Sequence, residues 1–99
     1  MEDFVYYNNL YDIYGALLTD NEKECFVDYY QENLSLSEIA INRNVSRSAI
    51  GKTLKNVTDK LKYYEDNLKI FYKNEKIYEV LEDNDLEVIK EKIKEIIVE

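Results

Sequence analysis

Arg47, Ser48, Gly51, Lys52 and Lys55 fall in one short stretch, and Lys60 and Lys62 follow closely. Cationic and hydroxyl side chains at this density suit ion pairing to phosphate oxygens and hydrogen bonding to base edges. Residues 46–62 hold five bases against the single acid Asp59, whereas 1–45 hold nine acids against two bases and 63–99 eleven against six. The whole chain carries −8, and that summed field opposes indiscriminate binding to nucleic acid or anionic membrane. A phosphate nevertheless feels mainly the charge within a Debye length of about 10 Å. The basic segment is therefore the candidate contact, against the plainer alternative of a solvated Lys-rich helix surface.

Other chemistries find little to work with. The chain has no His, which removes the usual general base and the commonest zinc ligand. Cys25 is the sole cysteine, so no internal disulfide forms, and its acidic neighbours Glu22, Glu24 and Asp28 raise a thiol pKa. Asp83-x-Asp85-x-Glu87 has the beginning of a calcium loop, but it lacks the Gly at the sixth position and has Lys94 at the twelfth. A helix cap with an acidic first turn is the better reading. No Gly-rich phosphate loop is present. We expect no catalytic site, no metal and no cofactor. The acidic start MEDFVYYNN is unlike a signal peptide, and no stretch approaches the ~18 apolar residues of a membrane span, so a cytoplasmic protein without membrane contact is expected.

The elements that must position the basic segment are helical. Ninety-nine residues suffice for one core, Pro is absent and Gly occurs twice, which favours long helices over a turn-rich sandwich. The first apolar stripe runs through Phe4, Tyr7, Leu10, Tyr14 and Leu17, with Asp3 as its cap. Thr19 with Glu22, and Ser35 with Glu38, have capping-box spacing. The helix between them stops near Asn33, and the next turns Leu36, Ile39 and Ala40 inward. Ser46 caps a fourth helix in which Ile50, Leu54, Val57, Leu61, Tyr64, Leu68 and Phe71 repeat at heptad-like spacing, predicting one continuous helix of about seven turns. This seam packs inside the domain or against a second copy. A short piece with Ile77, Val80 and Leu81 precedes a final amphipathic helix carrying Leu86, Ile89, Ile93, Ile96 and Ile97.

Residues 35–54, SLSEIAINRNVSRSAIGKTL, have the layout of a helix-turn-helix. Ala40 is small where the second helix crosses, and Ile39, Val45, Ile50 and Leu54 fill the wedge. The Ser46 cap frees the first turn of the second helix to point outward. Arg47 and Lys52 are then placed to reach base edges, and Lys55, Lys60 and Lys62 to meet phosphates. Ser48 and Gly51 share that face.

Beyond this local reading, LLTDNEKECFVDYYQENLSLSEIAINRNVSRSAIGKTLKNVTDKLKYYEDNLK resembles the helix-turn-helix of sigma-factor region 4. The upstream Tyr-rich helix ending in Leu17-Leu18-Thr19, the Tyr29-Tyr30 pair and Tyr64-Glu65 make it similar to the YlxM-like family of small bacterial helix-turn-helix proteins. That resemblance implies an all-α, sigma region 4-like fold in the winged-helix-like superfamily, with a long recognition helix and a C-terminal helical extension. It also implies a regulatory protein that binds DNA or signal-recognition-particle RNA and acts in that targeting pathway, with its GTPases as further partners. After the capping Ser, relatives commonly read Arg-Gln-Ala-Val, then an aromatic or similar residue and Asp; here Arg47 and Ala49 match and Ile50 is conservative, whereas Ser48, Gly51 and Lys52 depart. The expected organisation is a nucleic-acid-binding domain over 1–73 and an extension over 74–99, packed on it or at a homodimer interface. The alternative from another class is a dimeric protein-interaction adaptor that does not touch nucleic acid.

Overall fold

The computed structural model describes residues 3–99, and among these the chain is all-α, with six α-helices and no strand. They are α1 (Phe4–Tyr14), α2 (Asp20–Phe26), α3 (Leu36–Arg43), α4 (Arg47–Leu68), α5 (Ile70–Val80) and α6 (Leu86–Val98). A 3-10 turn, Gly15–Leu17, follows α1, and a π-helical turn, Val27–Gln31, extends α2.

The starts obey short-range rules. Asp3 accepts from the Tyr6 amide, Ser46 from the Ala49 amide, and both expected capping boxes close reciprocally. The core gathers Leu10 and Tyr14 of α1, Cys25 and Phe26 of α2, Ile39 and Ala40 of α3, and Ile50, Leu54, Val57 and Leu61 of α4. Three of the rings form a column: Tyr11 stacks on Phe26 at 4.4 Å between centroids, and Phe26 on Tyr30 at 4.5 Å. The π-turn carries Tyr30 into that column, and the chain reverses at Asn33, whose φ of 60° is left-handed. Val45 departs from expectation. It is 47 % exposed and does not fill the wedge, which Ile39, Ile50 and Leu54 complete without it.

The predicted seven-turn helix is two helices. α4 ends at Leu68, Lys69 adopts φ 54°, and Phe71 belongs to α5. A left-handed Lys is unfavourable locally, and long-range partners hold it. The first-turn amides of α5 lack an N-cap side chain at Lys69. Instead the Tyr14 hydroxyl accepts from the Ile70 amide at 3.1 Å, and the Glu65 carboxylate accepts from Phe71 and Tyr72 at 3.1 and 3.0 Å. Tyr14 in turn donates to Glu65 Oε1 at 2.6 Å. Both side chains are buried. Burial first and this hydrogen bond second push the Tyr14 hydroxyl pKa up to about 12.

The hairpin of α5 and α6 lies beyond this joint. α5 leans on α1 and α4, whereas α6 rests chiefly on α5. The molecule measures 58 × 22 × 22 Å with a radius of gyration of 17.5 Å, against about 13 Å for a compact chain of this length.

Candidate nucleic-acid interface

α3 and α4 form the two limbs of a helix-turn-helix. Asn44 makes the turn in the left-handed region with φ 56°, its amide reaching back to Ala40 and Ile41, and Ser46 opens α4. Ile50 and Leu54 anchor the inner side of α4 to the core. At about 100° per residue, Ser48, Gly51, Lys52, Lys55 and Lys62 follow one flank of the outer side, with Arg47 at its head. Arg47, Ser48, Lys52, Lys55 and Lys62 are exposed and Gly51 is half-exposed. Among the described residues no acid comes within ion-pair distance of Arg47, Lys52 or Lys62. Lys55 Nζ meets Asp59 at 3.1 Å, but both side chains are largely in solvent, where such a pair contributes little. A Cβ built on Gly51 meets nothing within 4 Å, so the backbone there is open to a close approach.

Lys60 sits elsewhere. Five residues on from Lys55, it is turned by about 140° toward α2, where its ammonium meets both oxygens of Glu22 at 2.7 and 3.0 Å. Burial acts to raise the Glu22 carboxyl, but the Lys60 ammonium and the Thr19 amide outweigh it and leave the pKa below the ordinary value. The same contact raises that of Lys60. The structure thus brings Arg47, Ser48, Gly51, Lys52, Lys55 and Lys62 to one flank and gives Lys60 to the α2–α4 contact.

Arg43, at the end of α3, carries no role on sequence grounds but has one in the fold. Its guanidinium contacts Asp28 through Nη2 at 2.8 Å and Nε at 3.2 Å, and Glu24 through Nη1 at 3.0 Å. Hydrogen bonding to Asp28, then to Glu24, raises its pKa. The signal was the spacing of Glu24 in α2 and Asp28 in its π-helical continuation, about one turn apart. Arg43 therefore fixes α3 to α2 and sets the angle at which α4 is presented.

The remaining reactive types are committed to packing or caps. Cys25 is buried, and that burial raises its thiol pKa. Asp85 caps α6 by accepting from the amides of Glu87 and Val88, while Asp83 meets Lys92 at 3.1 Å. Among the described residues no three His, Cys, Asp or Glu side chains come together to hold a metal, and no helix is long and apolar enough to cross a membrane.

A helix-turn-helix of this form, continued by a helical hairpin, has counterparts among known proteins. The family model described as "Putative helix-turn-helix protein, YlxM / p13 like" matches residues 1–98. This chain belongs to that family, UPF0122. A UPF0122 protein of Fusobacterium nucleatum is 40 % identical over 97 residues, covering 98 % of this chain and 94 % of its own. One from Malacoplasma penetrans is 45 % identical over 80 residues, covering 78 % and 75 %. One from Caldanaerobacter subterraneus is 38 % identical over 81 residues, covering 82 % and 69 %. The UPF0122 match takes in the hairpin of α5 and α6 as well as the helix-turn-helix.

Proposed function

We propose that this chain is a non-catalytic, cytoplasmic regulatory protein that binds nucleic acid with the outer flank of α4. The observation that carries the reading is the division of the cations. Arg43 and Lys60 are tied to acids of α2 and its π-helical extension, whereas among the described residues Arg47 and Lys52 stand exposed without an acidic partner on the second limb of a helix-turn-helix. In this arrangement Arg47 and Lys52 reach base edges, and Lys55 and Lys62 meet phosphates. The Ser48 hydroxyl and the first-turn amides of Arg47 and Ser48, ahead of the Ala49 amide that Ser46 caps, add neutral donors beside them. Gly51 lets the backbone come close. Lys60, expected among the phosphate contacts, is left out because freeing it breaks the contact with the buried Glu22 carboxylate.

The target is duplex DNA or the signal-recognition-particle RNA, and the resemblance to YlxM-like proteins supports a place in that targeting pathway, with its GTPases as protein partners. Fluorescence-anisotropy titration against both nucleic acids tests the reading. Tight binding that weakens steeply with salt supports it. Absence of binding at low salt to both, together with capture of the purified GTPases, favours the adaptor instead.

A further inference from the structure

The hairpin of α5 and α6 leaves an apolar side uncovered. Ile70, Ile77 and Leu81 recur at i, i+7 and i+11 along α5, and Leu86, Ile93 and Ile97 repeat the same interval along α6. Val80 and Ile96 are the two hydrophobic residues buried here. From each of these the stripe on its own helix is displaced by roughly a quarter turn in the chain direction, at about 100° per residue. Because the helices run antiparallel, equal displacement in the same sense brings both stripes to one side. The six side chains form a single two-helix face.

We propose that this face is the contact between two copies of the chain, which pack hairpin on hairpin as a four-helix bundle. The six residues are 39, 47, 72, 62, 41 and 71 % exposed in chain order. At roughly 180 Å² for a whole residue, they offer roughly 600 Å² of apolar surface, against the ~520 Å² that a standard homodimer contact of ~800 Å² per partner requires at ~65 % apolar. The edges suit a two-fold arrangement. Lys90 and Lys94 border the α6 stripe, loosely paired with Glu87 and Glu91 at 3.9 and 3.8 Å in solvent, and Glu82 follows the α5 stripe. Laying α5 of one copy over α6 of the other lets these exposed Lys turn to Glu82 across a mixed-charge rim. The heptad-like seam of α4 is not available for this purpose, since Ile50, Leu54, Val57 and Leu61 are buried in the chain's own core. A hairpin that projects from the body with so few buried side chains gains its cover from a partner of the same kind. The inference stands whether or not α4 binds nucleic acid.

Sedimentation equilibrium or light scattering of the full chain tests it. At ~300 µM the wild type is expected at twice 11.9 kDa, dissociating on dilution. Ile77→Glu and Ile93→Glu, both at positions exposed within one chain, halve the mass while the helical circular dichroism is retained. Ile41→Glu, exposed but remote from the face, leaves the mass doubled. A second route avoids polar substitutions: Ile93→Cys yields a covalent dimer with a short bismaleimide in the wild-type background. A wild type that stays at 11.9 kDa, or a dimer indifferent to both Glu variants, overturns the proposal. Binding of a monomer to anionic vesicles, or only to a foreign protein, overturns it as well.

Discussion

Replacing Glu65 by Gln changes one atom and leaves the shape of the joint between α4 and α5 intact. Oε1 accepts from the Tyr14 hydroxyl and the Phe71 amide, and Oε2 accepts from the Tyr72 amide. Gln retains one accepting oxygen and turns an NH2 group toward a backbone donor. One first-turn amide of α5 is then left unpaired in a half-buried site, at a cost of about 1–2 kcal/mol. The Tyr14 bond, charge-assisted in the wild type, falls to ordinary strength. The expected total is about 2–3 kcal/mol. Tyr14→Phe removes the donor to Glu65 and the acceptor for the Ile70 amide, and about 2 kcal/mol is expected on the same reasoning. Tyr14→Phe deletes the shared bond and Glu65→Gln weakens it, so the double variant is less costly than the sum by the part that was weakened, about 1 kcal/mol.

Urea unfolding followed by far-ultraviolet circular dichroism reads these differences. Thermal midpoints should fall by about 4–8 °C per kcal/mol for a chain of this size. If either single variant lies within about 0.5 kcal/mol of the wild type, the joint is solvated and the cap adds nothing. Strict additivity of the two refutes the shared network.

The Tyr14 hydroxyl also sets an alkaline limit. Its folded pKa of about 12 exceeds the ordinary 10.0, so its stabilisation is complete below pH 10 and disappears between pH 10 and about 12. The urea midpoint of the wild type should therefore approach that of Tyr14→Phe across this window, and parallel curves would contradict it. Gly51→Ala should stabilise by about 1 kcal/mol, because the added methyl meets open space in mid-helix; a lowered melting temperature would show a contact that the structure lacks. Gly15→Ala should destabilise by about 1–3 kcal/mol, since its Cβ comes 3.1 Å from the Tyr11 ring, which is already stacked on Phe26. Lys60→Ala should move the acid transition to higher pH. The lowered Glu22 pKa contributes stability above the ordinary 4.5 that is lost as pH falls through the folded value, and without its cation Glu22 loses that contribution. An unchanged acid midpoint in that variant would remove Lys60 from the fold.

Features set by neighbours in sequence were legible. Asp3, Thr19 with Glu22, Ser35 with Glu38, Ser46 and Asp85 all act within a turn of their own helix, where spacing alone fixes the geometry. The break at Lys69 was hidden because the apolar interval runs on through Leu68 to Phe71, while the groups that stop the helix include Tyr14, 51 residues before Glu65. Arg43 was given no role and Lys60 was grouped with the basic flank for a related reason. Their acids lie 15 to 38 residues away, and counting charge along a segment discards helical phase. Phase was nonetheless available: five residues separate Lys60 from Lys55, which no single helix face accommodates. Val45 shows the opposite error, an apolar residue assigned to a wedge that three others already fill.

The free flank of α4 is the proposed nucleic-acid contact. The most direct test is an anisotropy titration of wild type, Lys52→Ala/Lys55→Ala and Lys60→Ala with duplex DNA and signal-recognition-particle RNA at about 50 and 200 mM salt. Binding by the wild type is expected to be strongly salt-dependent. The double variant should bind more weakly, with a log–log salt slope shallower by about one unit per lost phosphate contact, and the Lys60→Ala curve should overlay the wild type. Equal affinity of the double variant and the wild type, or a loss confined to Lys60→Ala, would contradict the proposed contact.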